Sequence, residues 1–197
     1  MNHEQLHELL YQALETERGG VDIYQTAIRC ALNGDLKKEW TEYLEQTQNH
    51  EKIVTGLIED LGLELEAETA GRIVVRHIGQ SLVQAMEMAL EENQPEAAQL
   101  VATECVVLAE TKDHQNWELL ALCAEKVKGE LRKALVAAQN EVEDEEDEHL
   151  YHSSGWSREL WIESLGLPAV LPPPEEEKEV TTAIGAARAK QAREDLL

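Results

Sequence analysis

Residues 143–152 read EDEEDEHLYH, six consecutive carboxylates followed by His149 and His152. An acidic run normally marks a solvated face or an extended tail. Carboxylate and imidazole are also the donors of sites for iron, manganese and zinc. The phase of the run on a helix decides between the two, together with what the chain sets opposite it.

Outward from this stretch, apolar residues recur at helical spacing. Leu131, Leu135, Ala138 and Val142 precede it and Trp156 and Leu160 follow it, so a fifth helix is expected to begin beside Gly129. Continuing the stripe in steps of three and four lands on Glu146, His149 and Ser153, whereas Asp144, Asp147 and Glu148 point elsewhere. Upstream, a first helix carries Leu6, Leu10, Leu14, Val21, Tyr24 and Ile28 and stops at Asn33-Gly34. Asp35 is positioned to cap a second, with Trp40, Leu44, Val54, Ile58 and Leu61. A shorter third helix fits about residues 72–92. A fourth fits about 95–128, Pro95 lying in its first turn. The segments Ile58–Leu63 and Ile162–Leu167 match in five of six positions, and each reads as a helix end capped by a left-handed glycine. Their place at the ends of two hairpins suggests duplication.

Composition agrees with an all-α chain. There are 197 residues, 43% of them hydrophobic, with four Trp, four Tyr and no Phe, which leaves a core of aliphatic residues that favour helix. Forty acids against seventeen bases give a net charge of −23, which opposes binding to nucleic acid or an anionic membrane surface. No segment approaches a membrane span, and the first fifteen residues read as a polar amphipathic helix rather than a signal peptide. Cys30, Cys105 and Cys123 form no close pair and read as free thiols, which points to a cytoplasmic protein.

Each long stripe has a polar gap near its middle: Glu17 in the first helix, Thr47 and His50 in the second, Glu110, Asp113 and His114 in the fourth, Glu146 and His149 in the fifth. Glu17 and His50 are equidistant from the turn at 33–34, and Glu110 and His149 from the turn beside Gly129. At a rise of about 1.5 Å per residue, each pair lies roughly 25–30 Å from its own turn. Two hairpins packed side by side can therefore bring all four gaps to one height. A buried carboxylate without a partner costs several kcal/mol or takes up a proton. A cation removes that cost.

With these residues in place the chain resembles the ferritin-like superfamily, whose members include bacterioferritin and rubrerythrin. The resemblance implies a four-helix bundle of two antiparallel hairpins, with a helical crossover over about 63–94 in a domain spanning 1–167. It implies a dimetal site taking one Glu from each of two helices and a Glu-x-x-His from each of the other two. Glu17 and Glu110 match the single glutamates, and Glu146 to His149 matches one motif in full. The other motif has His50, but Thr47 stands where its glutamate belongs, so that Glu45 or Glu51 could substitute, or the site could hold a single ion. His114 is a candidate ligand beside Glu110. Asp113 is a supporting or substitute donor, and His152, one turn past His149, an orienting group. His3, His7 and His77 are expected at the surface. Arg72 and Arg76 on the crossover are expected to be solvated or paired with the acidic surface.

The expected cofactor is two metal ions, iron first and manganese second, held for an oxidoreductase that handles iron, oxygen or peroxide, as a ferroxidase or a peroxide-consuming enzyme. A homo-oligomer is expected. The alternative is a non-catalytic scaffold for metal storage or helical association. Residues 168–197 read as a proline-rich linker and a charged, loosely attached helical tail. Its Val180, Ile184 and Ala187 could dock on a partner or a second subunit.

Overall fold

A computed structural model describes residues 1–197, the side chain of residue 194 excepted. The chain is all-helical: α1 (His3–Cys30), α2 (Gly34–Asp60), α3 (Ala70–Glu91), α4 (Pro95–Lys126), α5 (Gly129–Ser164), the single turn α6 (Pro174–Glu177) and α7 (Ala183–Ala192). Among the described residues there is no strand, and no helix is long and apolar enough to cross a membrane.

The ends follow from local chemistry. Asn33, rather than Asp35, caps α2, its Oδ1 accepting from the backbone N–H groups of Asp35 and Leu36. The N–H groups of Leu32 and Asn33 donate to Oε1 of Gln99, which fastens this turn to α4. Gly62 and Gly166 adopt φ of 65° and 72°, and the N–H groups of Leu63 and Leu167 return to the carbonyls of Ile58 and Ile162, both at 3.1 Å. The two repeated segments are thus the same left-handed cap. The extended Val127 and Lys128 and the left-handed Gly129 (φ 69°) separate α4 from α5.

α1 packs against α2 and α4, and α5 against α4 and, more thinly, α2, while α3 lies across α1 and α4. The buried residues fall into two blocks. One contains the end of α1, the start of α2 and α4, and the end of α5, with Tyr24, Trp40, Val106 and Trp156. The other contains the opposite ends, with Leu10, Val54, Ile58, Leu120 and Leu135. Neighbouring long helices therefore run antiparallel, and between the blocks lies the level of Glu17, His50, Glu110 and Glu146.

Gly19 and Gly20 let α1 approach two neighbours at that level. A Cβ on Gly20 would stand 3.0 Å from Thr47 Cγ2 on α2, and the backbone of Gly19 meets that of Gly79 on α3. Thr47 is buried in this contact and fills the place where a glutamate was expected.

Arg72 departs from expectation. It is fully buried, donating to Glu15 (2.7 Å) and to the carbonyls of Leu65 (2.6 Å) and Ala67 (3.2 Å). Burial alone would raise the pKa of Glu15, but hydrogen bonds from Arg76 and Arg72 hold it below its ordinary value. The crossover is thus fastened to α1 by charge as well as by apolar contact.

The tail is also better anchored than its composition suggested. Glu175, buried, accepts from both terminal nitrogens of Arg158 (2.7 and 2.8 Å), and Glu159, buried, accepts from Arg158, Arg193 and the N–H of Val170. Gly155 leaves the room, since a Cβ there would meet Glu175 Oε2 at 2.7 Å. Val180 and Ala189 are buried, whereas Ile184 and Ala187 point outward, so the inner face differs from the one expected.

Arg72→Ala leaves buried acceptors unmatched and should cost about 3 kcal/mol in urea unfolding, against under about 1 kcal/mol for the partly exposed Arg76→Ala. Equal losses would contradict the anchoring role given to Arg72.

Candidate metal centre

Six donors from four helices meet between the two apolar blocks: Glu17 of α1, His50 of α2, Glu110 and Asp113 of α4, Glu146 and His149 of α5. All are buried. His50 Nδ1 lies 2.9 Å from Glu146 Oε1 and 3.9 Å from Glu17 Oε2. His149 Nδ1 lies 3.6 Å from Glu110 Oε2 and 3.8 Å from Glu146 Oε1. Two triads converge closely enough to hold an ion, His50–Glu146–His149 and Glu17–Asp113–Glu146, and Glu146 belongs to both.

None of these facing atoms is satisfied. Glu17 Oε2, His50 Nδ1, Glu110 Oε2, Asp113 Oδ1, both oxygens of Glu146 and His149 Nδ1 are buried without a hydrogen-bond partner. The short His50–Glu146 approach lacks the angles of a hydrogen bond, as for two atoms directed at a common third point. Buried polar atoms are nearly always paired, and seven unpartnered donors facing one another in one layer could hold a metal ion.

The far sides of the same groups are tied down. His50 Nε2 lies 2.7 Å from Glu145 Oε2, and His149 Nε2 lies 2.8 Å from Gln46 Oε1. Each partner oxygen is an acceptor, so each ring places its proton on Nε2 and turns the Nδ1 lone pair inward. Trp117 Nε1 donates to Glu17 Oε1 at 2.8 Å, leaving Oε2 free. Outer partners that fix tautomer and orientation are characteristic of metal-ligating histidines and carboxylates. Tyr43 packs against His149 with ring centroids 4.2 Å apart and planes tilted by 42°, and Tyr24 meets the same ring edge-on.

The electrostatics match. Burial, then Asp113 and Glu146, pushes Glu17 well above the usual carboxylate range; burial, then Glu146 and Glu110, does the same to Asp113. Burial and the facing Glu110 push Glu146 up to about 8. Ionised together, the four carboxylates would carry a charge that two divalent cations could cancel.

Not every candidate joins the cluster. His114, half-buried, pairs with Asp147 through Nε2 at 2.6 Å, because its position on α4 turns it toward the outer flank of α5. It lines a cavity of about 200 Å³ that reaches Trp117 and Glu146 from the surface, partly covered by Thr182 and Ala183. Glu45 is exposed, and Glu51 pairs with Arg18 at 3.1 Å, so neither replaces the glutamate absent at Thr47. Asp113 supplies the further carboxylate, three residues after Glu110, in the spacing that separates Glu146 from His149. His152 turns to Glu39 and Tyr43 rather than to His149. His3 and His77 are exposed and His7 half-buried. Gln46, Glu145 and Trp117 were not foreseen as orienting groups, since Trp117 reads as core and Glu145 as one acid in a run.

No known protein family, no curated protein and no solved structure matches this chain.

Without metal, the raised carboxyls set the sign of the pH response. The unfolded chain ionises Glu146 near its ordinary value of 4.5, whereas the folded chain keeps the proton to about 8. The unfolded state therefore sheds protons first, and stability falls as pH rises through that interval. Metal-free protein should melt at a lower temperature at pH 8 than at pH 5.5, and added Mn²⁺ should remove most of the difference. A melting temperature that rises with pH in the metal-free protein would contradict the buried, unpaired carboxylates.

Proposed function

We propose that the cluster is a dinuclear metal centre in a ferritin-like bundle, and that the protein is a metal-dependent oxidoreductase acting on ferrous iron, oxygen or peroxide. The observation that carries this reading is the set of seven unpartnered donor atoms facing one another while their outer partners hold them in place. Glu146, common to both triads, would be shared between the two ions. His50 and His149 would hold one ion, with Glu110 beside them, and Glu17 and Asp113 would hold the other. Carboxylate-rich donors with two imidazoles favour iron or manganese over ions that seek thiolate. Bound ions of this kind supply redox chemistry with oxygen or peroxide. The chain would hold their donors in place within a buried layer, and the cavity with Glu146 in its wall would be the route for small molecules.

A second reading, metal holding without turnover, draws support from the absence of an imidazole in the Glu17–Asp113–Glu146 half, which leaves that ion less strongly tuned for redox chemistry. Metal analysis by mass spectrometry and aerobic addition of ferrous iron separate the two. Wild-type protein should retain two ions per chain and oxidise iron, followed by near-ultraviolet absorbance. Asp113→Asn should retain one ion, and Glu146→Ala should lose both. Two ions without oxidation would select the holding role, and unchanged stoichiometry in Glu146→Ala would remove the bridging assignment.

A further inference from the structure

α3 lies as a ridge across α1 and α4, and from Ala70 to Met86 it carries no carboxylate, in a chain that has forty. Its Ile78 borders the same depression as Leu108 of α4. From Leu108 the outward stripe of α4 continues in steps of three and four through Lys112, Gln115, Leu119, Leu122 and Lys126, none of them acidic. Val74, Ile78, Leu108, Leu119 and Leu122 are all exposed, by 44% to 61%. The acids of this part of α4 are turned elsewhere. Glu110 and Asp113 are buried at the centre, and Glu118 lies toward His114 at 4.0 Å.

The ridge stops where the stripe goes on. Gly71, in the first turn of α3, sits against Glu8 and Gln12 of α1. Past it, Leu9 and Gln12 of α1 and Leu119 and Leu122 of α4 line an open hollow of about 580 Å³. Glu8 is the one carboxylate in its wall, and its Oε1 accepts from Gln12 and Thr69. One side of the molecule thus carries an apolar ridge and, next to it, an apolar hollow. Contiguous apolar surface of this kind is uncommon on a protein that stays monomeric.

Charge and shape together select what covers it. A basic partner would be drawn to the acid-rich surfaces that carry the net charge of −23, which leaves this side to an apolar one. Two copies of so acidic a chain repel each other unless they meet where carboxylates are missing. A ridge beside a hollow is also self-complementary, since a twofold axis lays each ridge in the other copy's hollow. From Val101 to Lys126 this side runs roughly 37 Å and, at two helices across, is roughly 20 Å wide. That is the scale of a standard interface, about 800 Å² per partner. We propose that this side is the interface of a twofold homodimer, with Val74 and Ile78 of each copy seated against Leu9, Leu119 and Leu122 of the other. The dimer is independent of the dinuclear reading, because all the donors of that cluster lie within one chain.

Sedimentation equilibrium of the full-length protein over a range of concentrations tests this directly. The wild type should be a dimer at micromolar concentration. Val74→Lys and Leu122→Glu should each raise the dimer Kd at least tenfold, with helical circular dichroism unchanged because both positions are exposed. Leu165→Glu, at an exposed position on the end of α5, should leave the dimer as it is. Mixed in equal amounts, the Val74→Lys and Leu122→Glu proteins should recover the dimer, because opposite charges then meet across one ridge and hollow. A wild type that stays monomeric overturns the proposal and leaves this side to a different apolar protein. A dimer indifferent to Val74→Lys and Leu122→Glu, or as sensitive to Leu165→Glu, also overturns it. Variants that are monomeric alone and remain so on mixing overturn the seating of ridge in hollow.

Discussion

Repulsion among four carboxylates enclosed at one level governs this molecule. Glu17, Asp113 and Glu146, enclosed beside Glu110 in an apolar bundle, resist ionisation, and among the described residues no arginine or lysine reaches in to hydrogen-bond the facing oxygens. The fold accommodates this by splitting its core. An aliphatic and aromatic block lies on either side, so the polar layer is shielded from water at both ends and held by helices fixed elsewhere. Stability thus comes from the blocks, while the layer carries a burial cost that a bound cation would offset.

The crossover and the tail hold this arrangement in different ways. α3 is drawn onto α1 through Arg72 and Glu15, on the face of α1 opposite Glu17, so one helix presents a paired carboxylate outward and an unpaired one inward. The tail closes the thinner side between α2 and α5, where Arg158 binds Glu175 and Glu159. Each attachment uses an arginine with buried acceptors, which makes the contact specific as well as favourable.

Helical period and distance from the turns were enough to reveal the bundle and most of the layer from sequence. Glu17, His50, Glu110, Glu146 and His149 lie where counting from residues 33–34 and 129 places them, because antiparallel helices of regular rise meet at equal distances. Rotation about a helix axis was less legible. Asp113 and His114 are adjacent, and a step of 100° separates a buried donor from a group on the outer flank. Spacing alone also could not reveal Gln46 and Glu145 as the partners of the two histidines, since those contacts cross between α2 and α5. Arg72 looked solvated because charge normally is, and its burial depends on carbonyls of a loop whose path no periodicity encodes.

Gly20 lies one turn beyond Glu17 and rests on Thr47, so the gap between α1 and α2 is set by a hydrogen atom against a methyl group. The glycine thus acts as a spacer: any side chain there would press on Thr47 and widen the gap across which Glu17 faces His50 at 3.9 Å.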